Sequence, residues 1–212
     1  AHVVPYGTTI ESCAVEAGDP GIFSLLCVGR LIERKGFVYA IRAFAQVRAR
    51  FPQVRLTIAG GGPLHQALQR EIDALQLGDA ARLAGRVPHE QLRRLFATCD
   101  CFVCPSIVDS RGDTEGLGVV CIEALCFEKP VVACNVGGIP DLIINEQTGL
   151  LVPERDPDAL AAAICRLIDD PALAGRIAGG GRKHIETGYD WERIITKLVD
   201  IYRAACSSGS EI

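Results

Sequence analysis

Short, largely apolar runs alternate with longer amphipathic stretches along most of this 212-residue chain, and that alternation restricts the fold more than any other feature. Residues 23–29 (Phe-Ser-Leu-Leu-Cys-Val-Gly), 54–59, 82–84, 101–104, 130–133 and 150–152 read as strands, most of them too apolar to keep one face in water. Residues 36–50 place Phe37, Ala40, Ile41, Phe44, Ala45 and Val47 at helical spacing, and Pro52 stops that helix. Further helices are expected over 64–75, 88–97, 119–127 and 157–169, with a short helical turn at 140–145. A helix within 171–187 is expected to break near Gly179-Gly180-Gly181. Residues 191–205 read as a last amphipathic helix with Trp191, Ile194, Ile195, Leu198, Ile201 and Tyr202 on one face. A strand–helix series of this kind predicts an α/β fold, a doubly wound parallel sheet, and a single domain over 1–212. No linker, internal repeat or low-complexity segment interrupts it; residues 14–21 and the tail from Ser207 are the soft regions.

In such a sheet the ligand lies at the carboxyl ends of the strands. Arg30, the glycines at 60–62, and the segments 105–115 and 135–138 each follow an expected strand, so they gather at one edge. Glu115 and Glu123 bracket Glu-Gly-Leu-Gly-Val-Val-Cys-Ile-Glu, a tight glycine loop followed by a helix. The start of a helix offers unpaired N–H groups, which suit an anion. At helical rise the eight positions between the carboxylates span roughly 12 Å, enough to grip different parts of one extended ligand. With Arg30 and Lys35 upstream, two cations and two carboxylates around a glycine loop point to a ligand with both phosphate and hydroxyl groups, a nucleotide sugar.

The formal charge is −4, from 22 basic and 26 acidic side chains, and no Lys/Arg block is present; nucleic acid is not the expected partner. No run is long and apolar enough for a signal peptide or a membrane span. The ten cysteines lie mostly inside apolar runs and read as buried free thiols. Cys99, Cys101 and Cys104 lack a second Cys/His pair, and strand alternation would point Cys101 and Cys104 to opposite faces, so no metal site is expected. Asp109 and Asp113 read as a solvated loop pair, and His65, His89 and His184 as surface or capping residues. The absence of methionine and the start at Ala1 read as a fragment or a processed chain.

A set of motifs in fixed order resembles the C-terminal, donor-binding half of retaining GT-B glycosyltransferases of the GT4 family, over nearly the whole length. These are Val4-Pro5-Tyr6-Gly7, Val28-Gly29-Arg30 with Lys35-Gly36, Ile58-Ala59-Gly60-Gly61-Gly62-Pro63, Gly85-Arg86-Val87, and Glu115-Gly116-Leu117-Gly118 with Glu123-Ala124, the family's E-x7-E motif. Pro130-Val131-Val132-Ala133, Gly137-Gly138-Ile139-Pro140 and Thr148-Gly149-Leu150-Leu151-Val152-Pro153 complete it. The long stretch 109–115 resembles transferases of bacterial exopolysaccharide assembly, and Asp141 stands where the family often carries Glu.

The resemblance implies a Rossmann-like fold and a nucleoside diphosphate sugar as donor, UDP- or GDP-linked rather than ADP-linked, with no further cofactor and no metal. Arg30 and Lys35 would hold the diphosphate and Glu115 the donor sugar, as the catalytic set. Gly116, Leu117, Gly118 and Val119 would offer main-chain N–H groups to the phosphates, Val87 would meet the base, and Glu123 the ribose hydroxyls. Gly29 and Gly61 would line the same site. The family's N-terminal acceptor domain is absent from this chain. It would bring a lipid or glycan acceptor and pack against the last helix, leaving an exposed apolar patch there when missing. The isolated chain would then be largely inactive, and the whole protein cytoplasmic, with the inner face of the membrane as one location. A separately encoded nucleotide-sugar-binding subunit and a GT-B-fold epimerase remain open at this point.

Overall fold

The computed structural model describes Val4, Gly7, Glu16 and residues 18–208. Pro5, Tyr6 and Cys13 lie outside the described residues. Strand β1 (Phe23–Val28) leads through a 3-10 turn (Glu33–Lys35) to α1 (Phe37–Arg50), then β2 (Val54–Ala59), α2 (His65–Ala74) and β3 (Ala81–Gly85). Helix α3 (His89–Thr98) carries the chain back to β4 (Cys101–Cys104), followed by α4 (Val119–Cys126), β5 (Val131–Cys134), α5 (Ile139–Leu142) and β6 (Leu150–Val152). Helices α6 (Pro157–Asp169), α7 (Pro171–Gly188) and α8 (Trp191–Ser208) follow.

The six strands form one parallel sheet in the order β3-β2-β1-β4-β5-β6. The chain winds outward from β1 to β3, then returns to β4 on the other side of β1. Because parallel crossovers are right-handed, this reversal puts α3 and α4 on the face opposite α1 and α2. Helix α1 packs on α2 and α6, and α4 packs on α7. Both faces of β4 and β5 are therefore covered, and every residue of those strands is buried. The reversal between β1 and β4 opens a crevice at their carboxyl ends, and the loops after both strands meet there.

Local chemistry sets the helix ends. Asp156 and Asp170 accept hydrogen bonds from Ala159 and Leu173 at 2.9 Å, and Pro157 and Pro171 fill the first helical positions. Each cap contributes about 1 kcal/mol. Helix α7 is continuous, which corrects the expected break at its glycines. A Cβ on Gly180 would lie 2.2 Å from the Gln147 carbonyl oxygen, and one on Gly181 would lie 2.4 Å from Leu125. These glycines bring α7 close to its neighbours instead of ending it. Helix α5 is shorter than expected because the side chain of Thr148 takes the Ile144 N–H at 2.8 Å and turns the chain toward β6.

The nine described cysteines are free thiols, and seven of them are buried. Burial pushes Cys99 and Cys134 up to about 12, so they pack as small apolar side chains. On α8, Ile194 is buried and a Cβ on Gly7 would touch it at 2.7 Å, whereas Ile195, Leu198, Val199 and Tyr202 are exposed. Of the face expected on the last helix, Ile195, Leu198 and Tyr202 are exposed, whereas Ile194 is buried and Trp191 and Ile201 are half-buried. Among the described residues, no helix is long and apolar enough to cross a membrane.

Candidate functional site

The carboxyl end of β1 is shaped by the absence of side chains. Gly29 (φ +154°) leaves room for Lys35, whose stem would lie 3.2 Å from any Cβ there. Gly60 (φ +148°) approaches so closely that a Cβ would fall 1.8 Å from the Gly29 carbonyl oxygen. The Leu31 N–H donates to the Gly61 carbonyl at 3.0 Å, and the Leu64 N–H to the Leu31 carbonyl at 3.0 Å. These contacts lock the loop after β2 onto the loop after β1. Gly61 thus stands at the site's edge with its carbonyl already engaged. Arg30 projects from this loop, exposed and without an ion-pair partner among the described residues.

The 3-10 turn then folds Lys35 back toward the crevice, and Gly36 (φ +62°) lets the chain enter α1. Lys35 Nζ forms an ion pair with Glu115 Oε2, and both side chains are only 13% exposed. The buried Ser106 hydroxyl donates to the same oxygen at 3.4 Å, and Cys104 Sγ lies 3.6 Å behind Ser106 Oγ. Thus the two residues that the sequence assigned to one ligand, 80 positions apart, also hold each other.

The loop from Glu115 to Gly118 rests on a second glycine pair. The Gly138 N–H donates to the Glu115 carbonyl at 3.1 Å. A Cβ on Gly137 would lie 2.0 Å from that carbonyl oxygen, and one on Gly138 would lie 1.8 Å from the Gly116 oxygen. Gly118 adopts a left-handed conformation (φ +76°) and starts α4 without any side-chain cap. The Cys121 N–H turns back to the Gly118 carbonyl at 2.7 Å, while the first N–H groups of α4, from Val119 onward, lack intrahelical acceptors. Gly116 and Val119 are exposed, Leu117 is half-buried and Gly118 is buried. The result is a positive helix end facing the crevice beside Lys35.

Glu123 sits farther along α4. Burial raises the pKa of its carboxyl, and the charge of His89, at the start of α3, opposes that shift. The loop after β3, with half-buried Val87, therefore reaches the same region as Glu123. His89 was read from the sequence as a surface or capping residue, and it is exposed at the first position of α3; that its charge is felt by Glu123 on α4 is a relation that sequence spacing does not encode. Ser106 was not singled out either, and its only sequence signal was its position directly after β4 and Pro105.

The acidic pair of the 109–113 loop has a local task. Asp109 Oδ1 accepts the N–H groups of Arg111 and Asp113 at 2.9 and 3.0 Å, which closes a turn. Glu33 anchors that turn through Ser110, and Glu154 takes the Val108 N–H at 2.7 Å. Among the described residues, no group of three or more His, Cys, Asp and Glu side chains is placed to hold a metal ion.

Residues 17–184 match the family model described as Glycosyl transferases group 1. Over 185 residues the chain is 36% identical to a glycogen synthase of Mycobacterium tuberculosis, covering 87% of this chain and 43% of that protein. It is 34% identical over 178 residues to a GDP-mannose-dependent alpha-(1-6)-phosphatidylinositol monomannoside mannosyltransferase of Mycolicibacterium smegmatis, covering 84% and 47% of the two chains. It is also 34% identical over 177 residues to the amylovoran biosynthesis glycosyltransferase AmsK of Erwinia amylovora, covering 84% and 44%. The chain therefore spans under half the length of each of these relatives. Sucrose-phosphate synthase from Thermosynechococcus elongatus has the same fold with a TM-score of 0.80 and 29% identity, over 98% of this chain and 53% of its own. HepE from Anabaena, solved in complex with UDP, matches with a TM-score of 0.78 and 25% identity, over 87% of this chain and 49% of its own.

Proposed function

The chain belongs to the group 1 glycosyl transferases, and we propose that it is the donor-binding domain of a retaining enzyme that takes its sugar from a nucleoside diphosphate. The observation that carries this reading is the convergence, at one sheet edge, of the Lys35–Glu115 pair with Arg30 and the uncapped start of α4. Arg30 and Lys35 bind the diphosphate, assisted by main-chain N–H groups from Gly116 to Val119. Negative charge grows on the diphosphate as the glycosidic bond breaks, so cations fixed in advance stabilise the transition state more than the ground state. Glu123 accepts hydrogen bonds from the ribose hydroxyls through its two oxygens. The main chain at Val87 meets the base, and Gly29 and Gly61 keep the phosphate side open to close approach. Glu115 faces the donor sugar's hydroxyls. The departing phosphate takes the acceptor's proton on the same face, so the scheme needs neither an enzyme nucleophile nor a metal.

Uridine and guanosine diphosphate sugars are the favoured donors. One relative is named as GDP-mannose-dependent, and HepE was solved with UDP. A second, N-terminal Rossmann-like domain brings the acceptor, a lipid or a glycan, and closes on the apolar face of α8; the exposed Ile195, Leu198, Val199 and Tyr202 support that placement. The similarity to AmsK supports a role in exopolysaccharide assembly, in the cytoplasm at the inner face of the membrane.

A thermal-shift screen with UDP, GDP, ADP and their common sugars tests this reading. A ligand at about 100 times its Kd stabilises the folded state by about 2.7 kcal/mol, which raises Tm by about 5–10 °C in a domain of this size. A uridine or guanosine series should produce that shift. No shift with any nucleotide would overturn the site.

A further inference from the structure

We infer that Tyr189 is a positioning residue for the donor loop: its hydroxyl fixes α5, and α5 in turn fixes the main chain of Glu115 and Gly116. The inference rests on the donor-site reading above and adds a residue that lies outside the crevice. Helix α5 is only four residues long and starts without a side-chain cap, so it cannot hold its own place. Contacts at its two ends hold it. At the amino end the Gly138 N–H donates to the Glu115 carbonyl at 3.1 Å, and a Cβ on Gly118 would lie 3.5 Å from Ile139. At the carboxyl end the Asp141 carbonyl gets no main-chain partner from the residues that follow. The Ile143 N–H goes to the Ile139 carbonyl at 2.8 Å, and the Ile144 N–H to the Thr148 hydroxyl at 2.8 Å. The Tyr189 hydroxyl donates to the Asp141 carbonyl at 2.9 Å, from 48 positions away.

Tyr189 is itself held firmly. It closes α7, its N–H donates to the Ile185 carbonyl at 2.9 Å, and it is 7% exposed. Its ring leans on that of His184, with 5.4 Å between centroids. Burial lowers the pKa of His184, although the Asp141 main chain opposes that shift, and His184 Nε2 is buried with no hydrogen-bond partner. The imidazole is therefore neutral at neutral pH and serves as a wall for the Tyr189 ring. Helix α7 also packs on α4, where Gly181 admits Leu125. One helix thus references both sides of the donor loop, α4 behind it by packing and α5 beside it through Tyr189. Without the hydroxyl, α5 loses its O–H donor, and the Glu115–Gly116 main chain samples more than one position. A ligand that needs the loop in one position must restore that order, at a cost bounded by the net worth of one hydrogen bond.

Calorimetric titration of the full chain with UDP and GDP, in the parent, Tyr189→Phe and Ile164→Val, tests this, together with hydrogen exchange of the Gly138 N–H in the absence of ligand. Tyr189→Phe keeps the ring against His184 and removes one oxygen. Ile164→Val trims a buried side chain on α6, away from the donor loop, and supplies a comparable loss of overall stability. Tyr189→Phe should bind the preferred nucleotide about fivefold more weakly than the parent, the equivalent of one hydrogen bond. Ile164→Val should bind as the parent does, and the Gly138 N–H should exchange faster in Tyr189→Phe than in Ile164→Val. A Tyr189→Phe chain that binds as tightly as the parent, or two variants that lose affinity or Gly138 protection equally, would overturn the inference and leave the donor site standing. A parent chain that binds neither nucleotide would overturn the donor-site reading, and the inference with it.

Discussion

Gly138→Ala is expected to abolish measurable nucleotide binding and to cost about 3 kcal/mol of stability, at the upper end for overpacking. A Cβ at this position would lie 1.8 Å from the Gly116 carbonyl oxygen, 2.9 Å from its carbon and 3.3 Å from the Leu117 Cα. All three are main-chain atoms of the loop that starts α4, so no flexible side chain can yield. Either the loop shifts, taking Glu115 and the helix N-terminus with it, or α5 does. Chemical denaturation and nucleotide titration of the same variant read both consequences. Gly175→Ala is the control. Gly175 lies in the exposed middle of α7 with no atom within 4 Å of a Cβ, and the substitution should stabilise by about 0.5–1 kcal/mol. Equal behaviour of the two variants would contradict the packing account of the donor loop.

Glu123→Ala is expected to lower affinity for nucleoside diphosphates by about 100-fold, since two hydrogen bonds to a charged acceptor are lost at about 1.5 kcal/mol each. Unlike Gly138→Ala, it should not destabilise the fold at neutral pH. Burial raises the folded-state pKa of Glu123 above its unfolded value, so the ionised group costs stability at neutral pH, and that cost disappears as pH falls through the folded pKa. Glu123→Gln should therefore be slightly more stable than the parent at pH 7, with the advantage fading in acid. The same shift predicts that nucleotide affinity falls on acidification at a higher pH than an exposed carboxylate would give, because the protonated group no longer accepts through both oxygens. Glu123→Gln should lack that acidic limb. Loss of stability at neutral pH, or an unchanged limb, would remove Glu123 from the role proposed for it.

The parts of the fold that sequence reading reached are those set by local chemistry. Strands Val54–Ala59, Cys101–Cys104 and Leu150–Val152 and helix Pro157–Asp169 fall where the apolar runs and the amphipathic stretch placed them. The parallel sheet followed from the strand–helix alternation. The errors came where distant main chain decides the outcome. Gly179 to Gly181 carry the local signature of a break, yet the Gln147 carbonyl and Leu125 demand glycine for close packing of an unbroken helix. Likewise the strand-end rule brought Arg30 and Glu115 to one edge, and the sequence assigned Lys35 to the same ligand, but nothing in it put Lys35 and Glu115 into contact. Their pairing depends on a 3-10 turn and on Ser106, and neither has a periodic signal. Gly137-Gly138 was visible as a motif, whereas its mechanical role became legible only once its neighbour proved to be the Glu115–Gly116 main chain.

The central claim is that Arg30, Lys35, Glu115, Glu123 and the start of α4 form one nucleotide-sugar site. Isothermal titration of the unsubstituted chain with uridine and guanosine diphosphate sugars, repeated on Arg30→Ala, tests it most directly. The account predicts saturable one-to-one binding by at least one series, weakened about tenfold or more without Arg30, since a hydrogen bond to a charged group contributes about 1.5–3 kcal/mol. A folded chain that binds neither series, or binds one with an affinity indifferent to Arg30→Ala, would contradict it.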